Sequence, residues 1–272
     1  MCKRSEAKAD PLVNTFLERY HLNLLAVPRQ NADVGDLYVH DGKHTALGGK
    51  LAAYLEKSFQ LPAVARGETM AALTGKLSRS VKTDLGLGLL EGFFVALGAT
   101  LPLGKVKAHW QAKGARNLRF KLQDAKRDSV DVGQLGLTLV DNVLAVNHPL
   151  VDMTNRYYVV TGVARSPSLT VALEDEQGNT LDLGADVTGM GSADVGVTIT
   201  RGAAGEVTFA GETALAFGLE LFELYLCEER VRLRLPEGAF LLRVPDAPGG
   251  GPQPAFIGGD DSDVFIDLAK ER

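Results

Sequence analysis

Cysteine is nearly missing: 272 residues hold two, Cys2 and Cys227, with neither a CxxC pair nor metal-ligand spacing. That excludes a disulfide scaffold and leaves a reducing cytoplasm as the expected compartment. Histidine is equally thin. The five, at 21, 40, 44, 109 and 148, are scattered, and Gly42 between His40 and His44 spoils the one pair with helical spacing. No P-loop, G-x-S-x-G or HExxH occurs, so no catalytic residue, metal or cofactor is expected and the chain does not read as an enzyme. GGDDSDVF, near the end, echoes a calcium-binding nonapeptide in a single incomplete copy, which is too little for a repeat. No leader is expected either: MCKRSEAKAD runs into an amphipathic segment and not an apolar one. What is plentiful is glycine, 30 residues, beside 45% hydrophobic and 23% charged residues and a net charge of −5. Excess glycine suits turn-rich β structure.

Long uncharged runs are also rare, with one exception. Residues 85–104, LGLGLLEGFFVALGATLPLG, carry a single charge, Glu91. The length would let a helix cross a bilayer, but a mid-span carboxylate is costly in lipid. Glycines at 86, 88, 92, 98 and 104, with Pro102, lower helical propensity throughout. The segment is expected to rest as a buried helix of weak propensity, free to change state.

The flanks alternate. From 105 to 123, Val106, Ala108, Trp110, Ala112, Leu118, Phe120 and Leu122 share one parity, and Lys105, Lys107, His109, Lys113, Arg119 and Lys121 the other. Period-2 patterning predicts a strand with one apolar and one wet face. Nineteen residues would make it about 60 Å long. Similar alternation runs through Leu73, Leu77 and Val81 in 69–82, through Val195, Val197 and Ile199 in 194–201, and through 206–220. Residues 157–174 predict a strand, a turn at Ser166-Pro167-Ser168, and a second alternating run with Leu169 and Val171. At rest this predicts an α+β single domain with a twisted, mainly antiparallel central sheet flanked by helices. Such segments also carry the signature of a membrane barrel, apolar outward and polar inward. One chain would be a poor porin; many copies could each lend hairpins to a shared barrel.

The ends complete the layout. Asp10 and Pro11 suit a helix start, so 1–9 is a tail before a short amphipathic helix. Cys2, beside Lys3 and Arg4, is a candidate for acylation, with palmitate suspected. Cys227 reads as a structural thiol. At the other end PDAPGGGPQP is an exposed, cuttable linker. Beyond it Phe256, Ile257, Val264, Phe265, Ile266 and Leu268 alternate with acids, and 260–272 has five acids against two bases, net −3. Residues 105–127 have eight bases against one acid, net +7. An acidic, apolar peptide on a cuttable tether suggests a detachable lid over a basic surface. The predicted layout is a body over 1–244, a linker over 245–259 and a peptide over 260–272.

With those segments in view, the chain resembles the short bacterial gasdermins. DPLVNTFLERYHLNLLAVPR is similar to the family's start, NLRFKLQDAKRDSVDVGQLGLTL to its strand-then-helix segment, and YYVVTGVARSPSLTVAL and ALAFGLELFEL to strands of its second hairpin. The resemblance implies an autoinhibited pore former, monomeric and cytoplasmic at rest. A partner protease, often caspase-like, would cut in 244–259, around Val244, Pro245, Asp246 and Ala247. The body would then oligomerise on the inner membrane and insert two β-hairpins per subunit, killing the cell as a defence against phage. Lys105, Lys107, Lys113, Arg116, Arg119 and Lys121 would meet anionic headgroups. Leu73, Leu77, Val106, Trp110, Leu169, Val171, Val195, Val197 and Ile199 would enter lipid. Cys2 is the position that matches a palmitoylated cysteine. The competing expectation is a non-enzymatic binder of nucleic acid or lipid surfaces through 105–127. Trp110 and Phe120 lie on the parity opposite the lysines, which favours burial over base stacking.

Overall fold

The computed structural model describes residues 21–70, 79–96, 103–145, 151–152, 154–181, 197–202, 205–227 and 230–233. Two strands of unusual length organise it, β8 (Arg156–Glu174) and β11 (Val207–Cys227), numbered in chain order. They pair antiparallel from Val207 opposite Val171 to Leu224 opposite Tyr157. Their composition explains the length: Val, Tyr, Phe, Thr and Leu dominate both, residues that pack well on a pleated surface.

Each long strand carries short strands on its outer edge. Along β8 lie β2 (Asp36–His40), β7 (Lys126–Val130) and β6 (Asn117–Gln123), one after another. Along β11 lie β12 (Arg230–Leu233), β1 (Asn23–Arg29) and β10 (Val197–Arg201). β3 (Thr45–Lys50) extends β2, β4 (Val64–Thr69) extends β7, β5 (Arg79–Lys82) extends β6, and β9 (Thr180–Leu181) takes the last two positions of β8. All these pairings are antiparallel, in one twelve-stranded sheet. The predicted fold class therefore holds for the body. The linker and terminal peptide lie outside the described residues.

Among the described residues three α-helices pack on the sheet: α1 (Thr83–Ala96), α2 (Leu103–Ala112) and α3 (Val132–Leu139). α3 starts where Asp131 accepts a hydrogen bond from the Gln134 N–H at 2.8 Å, a side-chain cap. Two apolar clusters result. One, beneath α1 and α2, joins Leu90, Phe93, Phe94 and Trp110 to Leu118, Leu169, Val171, Phe209 and Phe217. The other, beneath α3, joins Tyr38, Tyr54, Leu135 and Leu139 to Val159, Val160, Leu221 and Phe222. Each such side chain contributes about 1.5–3 kcal/mol by leaving water.

Two expectations are corrected. Residues 105–123 are not one strand at rest. The chain is helical to Ala112, turns at Gly114 with φ +81°, and becomes a strand only from Asn117. The Ala115 and Gly114 N–H groups donate back to the Trp110 and Gln111 carbonyls at 3.0 Å each, the double bond of a glycine-stopped helix end. Nor does the chain turn at 166–168. β8 runs straight through Pro167, and β11 absorbs the missing N–H with a bulge between Ala210 and Leu215. Ser166 Oγ reaches the Gln123 and Ser168 carbonyls and accepts from the Ser168 N–H, which satisfies the irregular backbone.

At the middle of the long pair, Gly162 of β8 faces Glu220 of β11. A Cβ on Gly162 would sit 2.7 Å from Glu220 Oε2 and 3.1 Å from its Cβ. Because Arg127 of β7 holds that carboxylate, it has little room to move. Gly162→Ala is expected to cost about 1–3 kcal/mol of stability, measured by urea denaturation.

Candidate functional site

The near-membrane-length segment and its alternating flanks occupy one long hairpin. One arm is β4 and β5, the other β7 and β6. The arms pair from Val64 opposite Val130 to Thr69 opposite Lys126, then from Arg79 opposite Phe120 to Lys82 opposite Asn117. α1 and α2 form its far end.

Charges clamp the base. Arg66 of β4 donates to Asp33 at 2.6 Å and to Asp128 of β7 at 3.1 Å. Arg165 of β8 reaches Asp128 at 3.3 Å and also binds the Ala32 and Gln30 carbonyls. The Gly67 N–H adds a bond to Asp128 at 2.9 Å. Burial alone would raise both carboxyls, but their partners outweigh it. Arg66 and the Val34 N–H hold Asp33 below its ordinary value, and the Gly67 N–H, Arg66 and Arg165 do so for Asp128. The neighbouring pair behaves oppositely: burial pushes the Glu220 carboxyl up, and Arg127 only partly offsets it.

The far end is held by aromatic rings. Phe93 of α1 stacks on Phe217 of β11 at 6.0 Å and 16°, and Phe94 meets Phe209 edge-on at 5.1 Å and 74°. Trp110 of α2 is 1% exposed. α1 contains Gly86, Gly88 and Gly92, each worth about 1 kcal/mol less than alanine in a helix. Packing, not propensity, keeps it helical. Among the described residues no helix is long and apolar enough to cross a membrane.

The residues named from sequence fall as follows. Lys105 and Val106 lie on α2; Lys107 is half-buried, Lys113 and Arg116 are exposed, and Lys121 is half-buried on β6. Arg119 is engaged at rest, 3.1 Å from both Glu174 and Glu206. Leu169 and Val171 are core residues of β8, Ile199 of β10 packs against the same cluster, and Val197 begins β10. Leu73, Leu77, Val195, Cys2, the 244–259 cut region and the peptide residues Phe256, Ile257, Val264, Phe265, Ile266 and Leu268 lie outside the described residues. The clamp of Asp33, Arg66, Asp128 and Arg165 was not anticipated, since nothing local marks charges so far apart in the chain as partners.

A model of the Bacterial Gasdermin Family matches residues 25–230. The chain belongs to that family. The gasdermin bGSDM of Vitiosangium sp. (strain GDMCC 1.1324) is 26% identical over 248 residues, 89% of this chain and 91% of that one. That of Lysobacter enzymogenes is 23% identical over 265 residues, 91% and 94% of the two chains. In fold, a solved bacterial gasdermin from Bradyrhizobium tropiciagri superposes with a TM-score of 0.66 at 20% identity, over 92% of this chain and 94% of that one. Gasdermin membership implies a pore-forming, cell-death function.

The clamp predicts acid sensitivity. A lowered carboxyl stabilises the fold above its ordinary value, near pH 4, and that stability is lost as pH falls through the folded value. Asp128→Asn should lose roughly 2 kcal/mol at pH 7, and the gap to wild type should narrow below pH 4 in urea titrations. Glu220 carries the opposite sign: its raised carboxyl stabilises at pH 4, and the benefit disappears as pH rises through the folded value. Glu220→Gln should lack that decline, so its stability relative to wild type should improve from pH 4 to pH 8.

Proposed function

We propose that this gasdermin is a proteolytically activated pore former whose β5–α1–α2–β6 segment unrolls into a membrane-spanning hairpin. One observation carries the reading, the register of the β5/β6 ladder. Lys82 faces Asn117, so the 34 residues 83–116 leave and return at the same end of an existing ladder. Unrolled, each arm gains 17 residues, more than the roughly 9–11 a membrane strand needs. Continued without slippage, the register sets Leu85 opposite Gly114, Leu87 opposite Ala112, Leu89 opposite Trp110, Phe93 opposite Val106 and Val95 opposite Gly104. From Leu85 to Val95 and from Gly104 to Gly114 that face is apolar apart from Glu91 opposite Ala108, with Thr83 opposite Arg116 at its base. The other face sets Gly86 opposite Lys113, Gly88 opposite Gln111, Leu90 opposite His109 and Gly92 opposite Lys107. A one-residue slip would turn one arm over and mix lysines with leucines on both faces. The resting ladder has the parity an amphipathic ribbon requires.

Energetics supports the direction of change. Unrolling loses the Phe93 and Phe94 contacts and turns Leu90 and Phe94 to the wet side, which opposes it. Hydrocarbon around the apolar face favours it, as do closed backbone hydrogen bonds within the barrel. Removal of the acidic, apolar segment over 260–272 by a protease cutting in 244–259 is the proposed trigger. Its net −3 would no longer offset the net +7 of 105–127, and those bases would then draw the body to anionic lipid. In this reading the chain is no enzyme, needs no cofactor, is cytoplasmic and monomeric at rest, and forms a ring in the inner membrane as a defence against phage. A palmitate on Cys2 would add a second membrane attachment.

Limited proteolysis should convert the intact chain from inert to one that releases dye from phosphatidylglycerol-containing vesicles. Nucleic-acid binding by the intact chain with no leakage would favour the binder instead. In a Cys2→Ala, Cys227→Ala background, an environment-sensitive dye on Ala108→Cys should be quenched by brominated lipid after trimming, and one on Lys107→Cys should not. Equal quenching at both positions would rule out the ribbon. Intact mass of the natural chain should fall by a palmitate-sized increment on Cys2→Ala.

A further inference from the structure

We propose that Glu91 is the barrier-setting residue of insertion, a single charge that each subunit must carry onto its lipid-facing side. The inference rests on the hairpin reading above. Continued from Lys82 opposite Asn117, the ladder places Glu91 opposite Ala108, between the Leu89–Trp110 and Phe93–Val106 pairs. Lys107 and His109, the chain neighbours of its register partner Ala108, project to the other face, as successive strand residues must. On its own face the nearest base is Arg116, opposite Thr83 and eight residues from Ala108, about 26 Å away along the strand and too far to pair with it. Lys105, Lys107 and Lys113 all belong to the wet side.

Depth adds to the cost. Glu91 is the ninth of the 17 residues 83–99 that its arm gains, the middle of an arm of which only about 9–11 residues are needed to cross. An ionisable side chain facing hydrocarbon is destabilising in a depth-dependent way. At rest the same residue costs nothing comparable. Glu91 is half-exposed on α1, while Leu90, Phe93 and Phe94 on the same helix are buried at 0%, 1% and 2% exposure. The helix leaves Glu91 partly exposed and its rings in the core; the ribbon would turn Glu91 to hydrocarbon. Each subunit of a ring brings one such group, so the penalty recurs with every hairpin added.

The test compares dye release from phosphatidylglycerol-containing vesicles by the full chain after limited proteolysis, for wild type, Glu91→Gln, Glu91→Leu and Glu91→Asp. Glu56→Gln, an exposed acid away from the hairpin, is the control. Glu91→Gln and Glu91→Leu should release dye roughly tenfold faster. Glu91→Asp, which keeps the charge, and the control should match wild type. Co-sedimentation with vesicles and the melting temperature of the intact chain should be the same for all five, placing the effect after binding and outside resting stability. Release by Glu91→Gln at the wild-type rate would show that the side chain never meets lipid. Slower release would show that it is paired with a base in the pore. Either result overturns the inference and leaves the hairpin standing. Sealed vesicles with every variant, wild type included, would sink the pore reading and the inference together.

Discussion

The antiparallel pairing of β8 with β11 is the constraint on which the rest of the molecule depends. Nineteen and twenty-one residues long, these strands exceed the usual five or six several-fold. Their length lets one sheet hold three short strands on each outer edge. It also divides the core in two, because helices cover the ends of the long pair separately: α1 and α2 over one cluster, α3 over the other. Bulges at Ala210–Leu215 and near Gly218 and Glu220 take up the twist, as bulges do. At the centre, where Gly162 leaves room for Glu220 and Arg127, the pair carries a buried charge. Such a site is weak support for stability, since desolvation offsets much of the attraction.

Against that stable frame the hairpin is attached in two different ways. Its base is tied by directional bonds through Arg66, Asp128 and Arg165, which hold one geometry. Its far end is tied by aromatic rings, Phe93 stacked on Phe217 and Phe94 edge-on to Phe209, which have no covalent or charge component. In the proposed ribbon Phe93 would exchange a protein core for lipid at little net cost in apolar burial, and only Phe94 would lose it, whereas the ion network has no equivalent partner in lipid. The division suits a device whose base stays while its end moves.

Much of this was legible in the sequence and some was not, for identifiable reasons. The alternation of β6, β10 and β11 predicted strands because each has one face on the core. The resting helix at 83–96 was legible from the length and apolarity of its run. The helical state of 103–112 was missed because lysines at every second position satisfy a strand's parity as well as they satisfy a helix's wet side. Gly114, with Ala115 and Arg116 breaking the alternation beside it, was the available signal in the sequence. The turn assigned to Ser166-Pro167-Ser168 failed because proline marks a bulge as readily as a turn when a partner strand can supply the extra residues. The clamp was invisible, since ion pairs across the sheet have no local pattern.

The ambiguity at 103–112 is itself informative. A segment that satisfies two periodicities can occupy two states, and most natural sequences avoid that by keeping local preference and fold in agreement. Here the glycines of the facing arm act in both. At 86, 88 and 92 they weaken α1 by removing the methyl that stabilises a helix, and in the ribbon the same positions fall opposite Lys113, Gln111 and Lys107 on the wet face. Residues with no side chain bring no apolar surface to that face and leave space beside long cationic partners. Alanine would strengthen the helix and leave the ribbon's parity intact; leucine would give the ribbon a second apolar face. Glycine lowers the resting helix's stability more than any residue but proline without spoiling the amphipathicity of the proposed ribbon. Its excess in this chain is thus accounted for locally, in part, by the need for one stretch of sequence to be acceptable in two folds.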